Sequence, residues 1–178
     1  MLLRPSQIAF IYSAALFSLF SVSTFALELD HLRAAKNLTP QRFASYFRNF
    51  EYKFRKEVQR PEVFLASKSG DCDDFSTLAA AVLRSRGYTP RLVTVRMTGV
   101  NHVVCYIEET KSYLDYNNRN AGALVACENS LESIAASVAK SYNRNWFSVS
   151  EFTFDGHDKR LVQTASRKDT RMFASILR

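Results

Sequence analysis

Gly70-Asp71-Cys72-Asp73-Asp74-Phe75-Ser76-Thr77-Leu78-Ala79-Ala80-Ala81-Val82-Leu83-Arg84-Ser85-Arg86-Gly87 is the stretch that decides the fold. From Cys72 onward it has helical periodicity. Phe75, Leu78, Ala79, Val82 and Leu83 fall on one side, and Gly87 supplies the stop. The acids crowd the first turn, where a helix end favours negative charge. The spacing predicts a helix over 72–86 that opens on a cysteine. A helix N-terminus presents unpaired N–H groups and a positive partial charge, which favour a thiolate and can also hydrogen-bond an oxyanion.

Downstream, Leu92–Met97 is strand-like. Val103–Ile107 is apolar without alternation, as in a central strand buried on both faces. Glu109–Ser112 is a polar turn and Tyr113–Tyr116 a short strand. Ser130–Lys140 reads as a helix with Leu131, Ile134, Ala135 and Val138 inward. Trp146–Phe154 alternates as a strand and closes at Asp155-Gly156. Upstream, Thr39-Pro40 is a helix start. Phe43, Tyr46, Phe47, Phe50, Phe54 and Val58 recur at helical spacing as far as Pro61, with core packing the expected reason for the stripe. Pro61–Gly70 reads as an extended connection. Two helices followed by strands and one late helix make an α+β fold and not a doubly wound sheet.

Three cysteines are present, Cys72, Cys105 and Cys127. Cys105 lies within the buried strand and Cys127 in an apolar stretch, so an expected disulfide, if any forms, joins those two. Cys72 is left for chemistry. A thiol nucleophile needs a base. His31 follows the N-terminal apolar run and His157 lies in a terminal turn, whereas His102 enters the buried strand. A third group should orient its ring, and Asp115 lies in the next strand. Pairing His102 directly with Asp115 puts the hairpin loop at Glu108-Glu109. Shifting the register by two puts it at Glu109-Thr110 and makes Asp115 a diagonal neighbour. Both registers keep the two side chains on one face, and the second fits the polar turn better.

These segments resemble a known family. Gly70-Asp71-Cys72-Asp73-Asp74-Phe75, Leu78, Leu83 and Gly87-Tyr88-Thr89-Pro90-Arg91 resemble the transglutaminase-like core. Asn101-His102-Val103-Val104 and Leu114-Asp115-Tyr116-Asn117 resemble its His and Asp segments. The likeness covers about Pro61 to Asn118 and is greatest to the bacterial transglutaminase-like cysteine proteinases. It implies a papain-like fold, with the nucleophile at the N-terminus of a helix packed on an antiparallel sheet. It also implies Cys72 as nucleophile, His102 as base and Asp115 as orienting acid. Many relatives carry an aromatic soon after the histidine, where Val103-Val104 stand here. Some members bind calcium through acids flanking the nucleophile, which would be Asp71 and Asp73. No cofactor is required by the thiol chemistry itself. Calcium wants six to eight oxygens, and the acids also suit a helix start.

The N-terminus carries Arg4 as its only charge before Glu28, then an apolar run over Ile8–Val22 and small residues up to Ala26. This is the pattern of a secretory signal over residues 1–26, with the catalytic domain over 27–178. An uncleaved anchor helix is the other reading, and membrane contact is expected only in that case. Export to the periplasm or beyond makes nucleic acid an unexpected partner.

The chain of 178 residues carries 24 Lys and Arg against 17 Asp and Glu, a net charge of +7. The excess flanks the middle: Pro40–Arg60 and His157–Arg178 each hold six basic residues and two acids. Solvated helix faces account for it, and an anionic cell-surface partner is the functional alternative. At 47% hydrophobic residues the chain is globular in composition. The reading is a cysteine hydrolase, expected to be a peptidase with a protein or peptide substrate. The alternative is an inactive module that holds an anionic partner on its basic flanks.

Overall fold

The computed structural model describes residues 27–121, 124–155 and 158–167. The expected leader, His157 and residues 168–178 lie outside them.

The helix that opens on cysteine is α4, Cys72–Arg84, preceded by α1 (Leu29–Ala34), α2 (Pro40–Ser45) and α3 (Pro61–Ser67), with α5 (Leu131–Ser141) following. Two short strands, β1 (Glu51–Tyr52) and β2 (Ser69–Gly70), pair in parallel. The main sheet holds β3 (Pro90–Met97), β4 (Val100–Ile107), β5 (Ser112–Leu114), β6 (Leu124–Ala126), β7 (Trp146–Asp155) and β8 (Asp158–Ser166). Its order is β6-β5-β4-β3-β7-β8, antiparallel throughout. The α+β expectation is met, and β4 is interior with Val103–Ile107 buried on both sides.

Alternation divides β4 between two cores. Val103, Cys105 and Ile107 pack under α4 with the aromatic cluster of Phe43, Phe47, Phe64 and Phe75. Val104 and Tyr106 pack on the opposite face with Ile134 and Val138 of α5. The sheet is thus covered by helices on both faces.

Two expectations for the segment before the cysteine helix do not hold. The helical spacing from Phe43 to Val58 forms only α2, and Phe54 and Val58 are exposed at 77% and 36%. The backbone there is drawn away from helix formation by the cap of α4. Asp71 Oδ2 accepts from the Arg55 N–H at 2.8 Å and Asp74 Oδ1 from the Gln59 N–H at 2.6 Å. Pro61 ends no helix. It starts α3 at the first helical position, so Pro61–Ser67 is not the extended connection that was expected.

Gly70 is required by close approach. A Cβ there would stand 2.4 Å from Asp74 Oδ2 and 2.7 Å from two carbons of the Phe64 ring. Gly70→Ala should therefore lower stability by about 1–3 kcal/mol, measured by denaturant unfolding, because it displaces the cap oxygen on which α4 begins.

Candidate active site

α4 starts on a capping box. Asp71 Oδ1 accepts from the Asp73 and Asp74 N–H groups at 3.0 and 3.4 Å, and Asp74 Oδ2 accepts from the Asp71 N–H at 3.0 Å. The Phe75 N–H goes to the Asp71 carbonyl. Of the first-turn N–H groups, that leaves the one of Cys72, at the first helical position, outside the cap. Cys72 is 7% exposed. One turn on, the buried Ser76 hydroxyl donates to the Val103 carbonyl at 3.2 Å. That bond ties the cysteine end of α4 to the strand that carries His102.

The β4–β5 hairpin pairs Cys105 with Leu114 and Ile107 with Ser112. This is the second of the two registers considered above. It places Asp115 diagonally from His102, and the distance closes: His102 Nε2 is 2.9 Å from Asp115 Oδ1. Both side chains are buried, with Asp115 fully so. Asp115 also accepts from the Asn117 N–H at 2.9 Å and the Asn118 Nδ2 at 3.2 Å.

The structure brings Cys72, His102 and Asp115 together from α4, β4 and the end of β5. Burial alone would lower the His102 pKa. Hydrogen bonds to Asp115 and to Cys72 outweigh it, and their charges add to the effect, so the pKa rises to about 9. The direction of that shift favours the protonated ring at neutral pH.

Asp73 is pushed up, by burial first and then by the charge of Asp71, with Lys159 of β8 opposing. Its Oδ1 is buried without a hydrogen-bond partner. That orphan oxygen was the best support for the expected calcium pair. Asp71, however, is committed to three backbone N–H groups. Among the described residues no group of three or more His, Cys, Asp or Glu side chains is arranged to hold a metal. Asp71 and Asp73 alone do not fit a six- to eight-oxygen calcium shell. Lys159 already partly balances the Asp73 charge. It lies 3.6 Å from the centroid of the Phe152 ring.

All three cysteines are free. Cys105 and Cys127 belong to the cores on opposite faces of the sheet, so the pairing considered for them does not form. Burial pushes Cys105 up to about 12 and also raises Cys127.

Sequence reasoning missed Tyr142, the residue that follows α5. Its hydroxyl lies 3.1 Å from His102 Nδ1. No local motif marks it, since forty residues separate it from the histidine. Ser76 was also missed, although its place one turn after Cys72 was a usable signal.

The groove between Tyr88–Arg91 and the N-terminus of α5 does not include Cys72, His102 or Asp115. Among the described residues no helix is long and apolar enough to cross a membrane.

Residues 26–150 match the family model of the transglutaminase-like superfamily core. No curated protein sequence matches the chain. Among solved structures, Legionella pneumophila LapG is similar at 16% identity and a TM-score of 0.50, over 83% of this chain and 79% of that one. The calcium-bound form of LapG aligns at 14% identity and a TM-score of 0.48, over 84% and 85% of the two chains. The EGTA-treated form aligns at 15% and 0.48, over 83% and 81%. At these identities the likeness concerns the fold alone.

Proposed function

The chain belongs to the transglutaminase-like superfamily, and from that premise we propose that it is an exported cysteine hydrolase cleaving protein or peptide substrates, with Cys72, His102 and Asp115 as its triad. The observation that carries the reading is the 2.9 Å His102–Asp115 hydrogen bond beside Cys72 at the start of a capped helix, with the His102 pKa raised by both neighbours.

In the proposed reaction the Cys72 thiolate attacks the scissile carbonyl and its electron pair forms the C–S bond. The carbonyl π pair moves to oxygen, where the Cys72 N–H donates to the new oxyanion. The His102 imidazolium gives its proton to the leaving amine as the C–N bond breaks, and a thioester remains. Neutral His102 then takes a proton from water. The hydroxide attacks the thioester, and the sulfur leaves as thiolate while His102 stays protonated, so the resting pair is restored. Asp115 holds Nε2 throughout and stabilises the imidazolium. An amine in place of that water would give transglutamination. Testing purified protein against casein or a peptide library, with Cys72→Ala as control, decides whether peptide bonds are cut.

No metal enters these steps. EGTA should leave turnover unchanged. A loss restored by added calcium would instead assign Asp71 and Asp73 as ligands, supplemented by backbone carbonyls and water. Export, with residues 1–26 as a cleaved leader, belongs to the same proposal. Fractionation with N-terminal sequencing tests it, and a mature N-terminus at Leu27 is the expected result.

A further inference from the structure

The Tyr142 hydroxyl and His102 Nδ1 are in hydrogen-bond contact, and the two rings lean together with centroids 4.9 Å apart at 52°. The phenol oxygen also accepts from the Asn117 side-chain amide. Asn117 gives its backbone N–H to Asp115 Oδ1, the same oxygen that holds His102 Nε2. The contacts close a ring that runs from Asp115 to His102, to Tyr142, to Asn117 and back. Three separate parts of the chain meet in it: the start of β4, the end of β5 with the turn after it, and the C-terminal end of α5.

Counting protons shows what this ring does. An ionised Asp115 only accepts, so Nε2 carries a proton and Nδ1 is the nitrogen left for Cys72. The phenol oxygen has two lone pairs and one proton, and Asn117 occupies one lone pair. While Nδ1 is protonated, the second lone pair accepts from it alongside Cys72. Once Nδ1 has given its proton up, the phenol proton turns to the bare nitrogen. Tyr142 thus holds Nδ1 in both states. A ring flip about the Cβ–Cγ bond would break the contacts at Asp115 and Tyr142 together. Burial, and after it the charges of Asp115 and Cys72, raise the Tyr142 pKa, so the phenol keeps its proton and does not compete as a base.

We propose that Tyr142, oriented by Asn117, is a positioning residue that keeps the His102 imidazole turned with Nδ1 toward Cys72 through the whole proton-transfer cycle. The proposal rests on the nucleophile reading above and deepens it.

Tyr142→Phe removes only the hydroxyl. Asn117→Ala removes only the side-chain amide and leaves the backbone N–H on Asp115. Both variants of the full chain are compared with wild type by iodoacetamide alkylation at neutral pH, with the label mapped to each cysteine. In Tyr142→Phe the Cys72 rate should fall by roughly tenfold, the equivalent of one hydrogen bond, and in Asn117→Ala by less. The ¹⁵N resonance of His102 Nδ1 should move in both variants while that of Nε2 stays in place. A purely structural tyrosine would lower the melting temperature without moving that resonance. A wild-type Cys72 rate with an unmoved Nδ1 resonance in Tyr142→Phe overturns the proposal. Should Tyr142→Phe fail to fold, the same result in Asn117→Ala overturns it. A wild-type protein whose Cys72 reacts no faster than Cys127 overturns the nucleophile reading itself, a failure visible before any variant is made.

Discussion

Cys72→Ala should abolish turnover, by more than about 10⁴-fold, and leave the fold in place. The side chain sits at the first position of α4, where the cap is built by Asp71 and Asp74 and not by the thiol. Losing one small buried atom there should lower stability by about 1 kcal/mol or less. Circular dichroism should therefore match wild type and the melting temperature should fall by no more than about 5 °C while activity is gone. The order of effects matters. A variant with both activity and melting temperature reduced in parallel would make Cys72 a packing residue of the α4 core. A variant that keeps wild-type turnover would remove it from the chemistry altogether.

Asp115 should show a graded loss. Asp115→Asn keeps an oxygen for the His102 N–H and loses the charge opposite the imidazolium. The missing charge-assisted hydrogen bond, roughly 1.5–3 kcal/mol, is a loss of about 10- to 150-fold in rate. Asp115→Ala loses the acceptor as well and should fall further. Because the imidazolium is destabilised in both variants, the alkaline limb of the pH–rate profile should move to lower pH, narrowing the active range. Stability will not be spared in the alanine variant. Asp115 is fully buried and serves three donors, so removing it leaves the Asn117 N–H and the Asn118 amide unpaired, at about 1–3 kcal/mol for each. In Asp115→Asn the amide N–H₂ faces the Asn118 donor, a smaller penalty.

The same pair links stability to pH. The folded His102 pKa, raised to about 9, exceeds the unfolded value near 6.5. The stability it contributes is complete below about pH 6.5 and is lost as pH climbs through 9. Melting temperature should decline over that window in wild type and decline less in Asp115→Ala. Unchanged pH–rate profiles with lower melting temperatures would make Asp115 structural, and Asn117 would be the next residue to test as the orienting group.

The parts of the site that could be read from sequence are those carried by local chemistry. The helix opening on Cys72 announces itself by its acids and its Gly87 stop, and Gly87 indeed takes the left-handed conformation, with φ of 86°. The His102–Asp115 diagonal follows from where a polar turn must fall between two apolar runs. The rest depends on tertiary competition. The aromatic stripe from Phe43 to Val58 has a helical period, but the carboxylates of Asp71 and Asp74 capture backbone N–H groups of Arg55 and Gln59, and the stripe stops being a helix there. Pro61 reads equally well as a stop or as a first helical residue, and only the burial of Phe64 and Leu65 decides for α3. Tyr142 reaches His102 because α5 lies across the face of the sheet that His102 shares by alternation with Val104 and Tyr106. Nothing within forty residues of sequence encodes that meeting.

The central claim is that His102 activates Cys72, and the most direct measurement is the rate at which each cysteine is alkylated by iodoacetamide, read by mass mapping in wild type and in His102→Ala. Cys72 should react much faster at neutral pH than Cys127, Cys105 should stay unlabelled, and His102→Ala should bring Cys72 down to the Cys127 rate. A Cys72 rate that is slow in wild type, or fast and unaffected by loss of His102, would contradict the account.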